Sequence, residues 1–126
     1  MIAARRLSRA AGVLAFSALA DSGLEHYRGS FANPAMIAPP LISAATLAVS
    51  AHGTADAQAI THRVRHGTSV AAAATGFAGL GFHLYNITKR PGGLSWLNLF
   101  YGAPPAAPAA VALAGLLGYG RPAAAR

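Results

Sequence analysis

Residues 68–105, TSVAAAATGFAGLGFHLYNITKRPGGLSWLNLFYGAPP, decide how the chain is read. They open as an apolar helix, turn polar and charged toward Arg90, break at a Gly/Pro loop and resume as an aromatic patch. At a rise of about 1.5 Å per residue, the 21 residues of 67–87 suffice to cross a hydrocarbon layer about 30 Å thick. Ser69, Ala72, Gly76, Gly79, His83, Asn86 and Arg90 recur at alternating steps of three and four. One helix face is therefore small through its middle and polar at one end. Lipid gives helices no hydrophobic reason to associate, so close backbone approach along small residues has to supply the attraction. The stretch predicts a membrane helix packed against others of its kind.

Composition points the same way. The chain has 126 residues, 54% of them hydrophobic and 10% charged, whereas soluble domains carry roughly 25% charged residues. A soluble fold of this size would lack the polar side chains to cover its surface. Ten Lys/Arg against three Asp/Glu give a net charge of +7. Nucleic-acid binding needs such charge grouped on one folded surface. Here the basic residues sit in short segments between apolar runs, the pattern that orients membrane proteins, so no nucleic-acid partner is expected. The absence of cysteine excludes disulfides, iron-sulfur clusters, thiolate zinc sites and a thiol nucleophile.

Working outward toward the N-terminus, Arg5, Arg6 and Arg9 precede the apolar run 10–20 and then Asp21. As a secretory signal, this start would use Ala18-Leu19-Ala20 as an A-x-A cleavage site. As a retained helix it continues through Leu24 and Tyr27, placing Asp21 and Glu25 where ionised groups are costly unless paired or wet. Arg28 follows Glu25 by three residues and Asp21 by seven, so a helix brings all three together. The retained helix is the expectation, because further apolar helices can shield the acids. Residues 29–34, GSFANP, are turn chemistry, with Gly and Asn tolerating unusual backbone angles and Pro rejecting a continuing helix. In the next run, 35–53, Pro39 and Pro40 fall in the tolerant first turn. Ser43, Thr46, Ser50 and Gly53 share a stripe suited to a helix contact. Residues 51–66 are a polar connection with His52, Asp56, His62, Arg63, Arg65 and His66, in which 55–64 could form a short interfacial helix.

Toward the C-terminus, Lys89-Arg90-Pro91-Gly92-Gly93 ends the pivotal helix. Residues 94–101, LSWLNLFY, gather Trp96, Phe100 and Tyr101, which favour headgroup depth because they join an apolar body to a polar tip. The last apolar run, 103–119, starts among Pro104, Pro105 and Pro108 and carries Ala110, Ala114 and Gly118 as a ridge. Gly120-Arg121-Pro122 ends it, and an Ala-rich tail ending in Arg126 is expected to be disordered.

The expected fold is all-α: an integral membrane four-helix bundle, up-down-up-down, forming one domain over 1–126. Its spans are near 8–28, 35–53, 67–88 and 103–120, with an interfacial segment between the third and fourth. Seven basic residues (Arg5, Arg6, Arg9, Arg63, Arg65, Arg121, Arg126) then lie on the inner side and three (Arg28, Lys89, Arg90) on the outer. That bias places both termini inside a cell membrane, of the bacterial inner-membrane type.

The same topology collects Asp21, Glu25, His26, Arg28, His83, Tyr85, Asn86, Lys89 and Arg90 at the outer face. An ion-paired plug that fixes helix register is the plain expectation, since buried charge normally occurs paired. Ionisable residues within spans also point to function. The sharpest alternative is b-type heme between His26 and His83, with His52 and His66 as a second pair at the inner face. A metal site of Glu25, His26 and His83, and proton or ion transport through Asp21, Glu25, His83 and Arg90, are further alternatives. No G-x-S-x-G elbow, H-E-x-x-H pair or phosphate loop occurs, so an enzyme is not expected. The leading expectation is an accessory or structural subunit of a membrane complex, docking a second subunit or a second copy of itself along its small-residue ridges. Lipid is the surrounding partner.

Overall fold

The computed structural model of the chain describes residues 2–55 and 62–120, and every regular element among them is helical. Four α-helices follow one another: α1 (Ile2–Arg28), α2 (Ala38–Ala55), α3 (His62–Thr88) and α4 (Ala106–Tyr119). A 3-10 turn, Pro34–Ile37, leads into α2, and a π-turn, Asn98–Gly102, precedes α4. The all-α class holds. Most of the proposed interfacial helix at 55–64, together with Asp56 and the tail 121–126, lies outside the described residues.

The helix ends depart from the expected spans for local reasons. α1 begins at Ile2 because Arg5, Arg6 and Arg9 are good helix formers, so the basic start joins the helix. α3 likewise takes in the basic residues from His62 onward. α4 begins only at Ala106, because a residue preceding proline is disfavoured in the helical region and Pro104 and Pro105 stand in the way. In the 29–34 turn, the left-handed backbone falls on Ser30 (φ 56°) and Phe31 (φ 46°), not on Gly29 or Asn33. Asn33 instead caps the 3-10 turn, its side chain accepting from the Ala35 N–H at 2.9 Å.

One helical stretch, Pro34–Ala55, is long and apolar enough to cross a membrane. α4 is apolar but shorter, at 14 residues. α1 and α3 each have 27 residues. Their apolarity is diluted by the charged ends of α1 and by the Gly, Ser, Thr, His and Asn residues of α3. By length and composition, then, the expected four spans reduce to a single one.

Within the fold, α1 packs against α2 and α4, and α3 packs against α4 and less closely against α2. The α3–α4 seam is antiparallel and very close. Gly79 faces Pro108, Gly76 faces Ala112, and Ser69 faces Gly118. A methyl group at Gly76 would fall on the Ala112 backbone, and one at Gly115 on the backbone of Ala73. On α3 these contacts use the stripe marked out by the sequence. On α4 they use Pro108, Ala112, Gly115 and Gly118; of the anticipated ridge of Ala110, Ala114 and Gly118, Gly118 takes part in this seam and Ala114 is buried.

The distribution of side-chain size is inverted relative to a water-soluble core. Among the described residues, Ile87 and Val111 are the only branched or aromatic apolar side chains that are buried. The remaining buried apolar residues are alanines, joined by the polar residues Ser8, Ser22, Ser43, Thr46, Ser50 and Ser69 and by one charged residue, Arg65. Phe16, Leu24, Leu41, Phe77, Phe82 and Leu116 all point outward. Several buried hydroxyls are satisfied inside their own helix: Ser8 donates to the Ala4 carbonyl at 3.1 Å and Thr46 to that of Ile42 at 2.7 Å. Back-bonding of this kind lets polar residues sit in a seam without an unpaired donor. The Ser43 hydroxyl, buried on α2, has no such partner.

Candidate functional site

At the end of the molecule where α1 finishes and α4 begins, the helices leave a cavity of about 210 Å³. Two features of the chain create it. Gly76 and Gly79 remove side-chain bulk from α3, and the loop before α4 dips along α3 so that Pro104 lies beside His83, more than a turn before α3 ends. Asp21, Glu25 and His26 reach the cavity from α1, and Thr75 and His83 from α3.

Both histidines are held in the same way. Nδ1 of His26 donates to the Met36 carbonyl at 2.6 Å, and Nδ1 of His83 donates to the Pro104 carbonyl at 2.8 Å. Since a carbonyl can only accept, each ring in its neutral form carries its proton on Nδ1 and keeps the Nε2 lone pair for another group. The edge of the Phe31 ring, with centroids 6.3 Å apart, steadies His26 further. Ser22 is buried beside them and donates to the Ala18 carbonyl. The polar side chains of the cavity are thus two carboxylates, two imidazoles and two hydroxyls, and no lysine or arginine lines it.

A second, more open hollow of about 620 Å³ lies on the other side of Asp21 and Glu25, against Arg28, Phe100 and Tyr101. Arg28 donates to Glu25 at 2.9 Å, the one salt bridge among the described residues, with side chains 74% and 54% exposed. Exposed pairs of this kind contribute about 0.2–1 kcal/mol. Among the described residues the expected ion-paired plug comes down to this weak surface pair, and Asp21 is exposed and makes no salt bridge.

The other residues of the expected cluster are dispersed. Lys89 lies over the Tyr85 ring, 4.3 Å from its centroid. The side chain of Arg90 packs across Gly102. Asn86 is exposed and does not reach the cavity. Trp96 and Phe100 stack with centroids 5.7 Å apart, and Trp96 and Tyr101 are 76% and 84% exposed. The aromatic patch therefore faces outward from the loop between α3 and α4.

His26 and His83 both line the 210 Å³ cavity, and the Nδ1 atom of each is engaged by a backbone carbonyl, of Met36 and Pro104 respectively. His52 is exposed near the end of α2, while the His66 ring packs on Tyr119 at 5.0 Å. No group of three His, Asp or Glu among the described residues could hold a metal, so Glu25, His26 and His83 do not form the metal site considered above. Ala18, Ala72 and Val111 form an apolar cluster, with Val111 reaching the cavity wall, and Arg90 packs across Gly102 without lining the cavity.

Some of this site carried a sequence signal that was missed. Ala4, Ser8, Ala11, Ala15, Ala18 and Ser22 are the buried residues of α1, and their steps of four and three mark a small-residue face that ends beside Asp21. The carbonyls of Met36 and Pro104 carried none, since a backbone group has no signature in a sequence. Comparison with protein-family models, with curated proteins and with solved structures finds no match, so the cavity stands on its own chemistry.

Proposed function

We propose that this chain is a small multi-pass membrane protein that serves as an accessory or structural subunit of a membrane complex, with both termini on the inner side of a cell membrane. The observation that carries the reading is the inverted size distribution: alanine, serine and glycine inside, phenylalanine and leucine outside on all four helices. In water this arrangement forfeits about 1.5–3 kcal/mol for each large apolar side chain left exposed. In lipid the outer face costs nothing of that kind, and the close small-residue seams become the source of helix attraction. The stacked Trp96 and Phe100 at one end and the three arginines at the start of α1 fit the two boundaries of such a layer.

A docking face accompanies that reading. Ala71, Ala74, Ala78 and Gly81 form a second small-residue stripe on α3, exposed and bordered by Val70, Phe77 and Phe82. The stripe has the character of the α3–α4 seam, but among the described residues no helix lies on it, which favours a subunit over a self-contained machine. Because the chain has no cysteine, single introduced cysteines can report sidedness without background. In sealed membranes, Ala3→Cys should be labelled from the inner side alone and Gly93→Cys from the outer side alone. Labelling of both from the same side, or a purified protein that stays soluble and monomeric without amphiphile, would overturn the proposal.

A further inference from the structure

We propose that the 210 Å³ cavity at Asp21, Glu25, His26 and His83 is a binding site for a small primary ammonium group. The side chains that line it are matched to donors. In their neutral form both imidazoles spend Nδ1–H on backbone carbonyls and keep Nε2 lone pairs, and an ionised carboxylate accepts but does not donate. Ser22 spends its proton on the Ala18 carbonyl and so offers lone pairs as well. A site rich in acceptors, with two acids and no lysine or arginine on its wall, attracts a positively charged ligand carrying several N–H donors. A primary ammonium has three donors on one compact charge.

Among the described residues, the basic side chains at this end are engaged elsewhere: Arg28 is turned toward Glu25, Lys89 is over Tyr85, and Arg90 lies on Gly102. Asp21 makes no salt bridge with any of them. The cavity is about seven times the roughly 30 Å³ occupied by a water molecule, enough for a short aminoalkyl group and too small for a long polyamine to coil inside. Such an ammonium could be a free amine or the headgroup of an aminophospholipid. In the second case the amine would enter beside the larger hollow, where Arg28 and Tyr101 offer donors to a phosphate. The free-amine case stands whether or not the helices cross a bilayer, and only the lipid case rests on the membrane proposal.

The test is calorimetric titration of ethylammonium into the full chain, held in nanodiscs of phosphatidylcholine, whose headgroup has no N–H. Saturable binding is expected there, with tetramethylammonium failing to compete because it has no donor. Asp21→Asn should weaken binding by about tenfold or more, as expected for loss of a charged hydrogen-bond partner. This side chain is exposed and makes no internal contact that folding requires. Lys89→Ala should leave binding unchanged. Discs containing phosphatidylethanolamine separate the sources: competition there assigns the site to a lipid headgroup, and undiminished binding assigns it to a free amine. Absence of saturable binding in phosphatidylcholine discs, or equal affinity in Asp21→Asn and the parent chain, overturns the site itself. Failure of the membrane proposal reads differently, since the chain would then stay out of the discs; the same titration of the chain in buffer tests the free-amine site in that case.

Discussion

Helix α3 carries two faces of nearly the same composition and opposite fate. On one, Ser69, Ala72, Gly76 and Gly79 lie so close to α4 that a methyl group at Gly76 would collide with the Ala112 backbone. On the other, Ala71, Ala74, Ala78 and Gly81 are exposed, and a methyl group at Gly81 would meet nothing within 4 Å. Smallness permits close approach but does not itself choose a partner. The inward face has found its helix within the chain, and the outward face has none among the described residues.

The sharpest way to break this comparison is to enlarge one face at a time. Gly76→Val should cost about 3 kcal/mol or more, since backbone rather than a flexible side chain blocks the added atoms. Thermal unfolding in detergent, followed by circular dichroism, should show a large fall in Tm. A fall no greater than that from Gly81→Val would mean that the seam is looser than its geometry implies. Gly115→Ala comes next, at about 1–3 kcal/mol, because its single methyl meets the backbone of Ala73 and the Ser69 carbonyl.

Gly81→Leu should behave in the opposite manner. It should leave stability within about 0.5 kcal/mol, as exposed substitutions usually do, yet reduce association with a partner or a second copy. Crosslinking in native membranes before solubilisation measures this, and unchanged crosslinked bands would remove the outward stripe as a docking face. The smallest effects belong to the end of α1, away from both faces. Arg28→Ala should lower stability by no more than about 0.5 kcal/mol, because its pair with Glu25 is largely exposed and screened. Ser30→Gly should change stability by less than about 1 kcal/mol, with relief of the left-handed backbone offset by a more flexible unfolded chain. A larger loss at either position would show that the cavity end is more tightly knit than this distribution of contacts indicates.

Much of the helical framework was legible because it rests on periodicity. The spacing of Ser43, Thr46, Ser50 and Gly53 marks the residues that α2 buries, and the run from Ser69 to Gly79 marks the face that α3 turns to α4. The ends were less legible. Arginines that look like a solvated leader continue α1, and Ser30 and Phe31 adopt the angles for which Gly29 and Asn33 were the natural candidates. At the site, Asp21, Glu25, His26 and His83 do line one cavity. Of the ion pairing expected from proximity in sequence, only Glu25 with Arg28 forms among the described residues, because Lys89 finds an aromatic ring and Arg90 a glycine.

The sequence alone determined an all-helical chain whose small residues recur at helical spacing, because side-chain size and period are local properties written residue by residue. Only the tertiary structure decided which small face is occupied, where Pro104 and Met36 place their carbonyls, and which charges remain without a partner. Those outcomes depend on how the helices lie against one another and on where a loop folds back, and the backbone atoms that settle them are the same for every residue type.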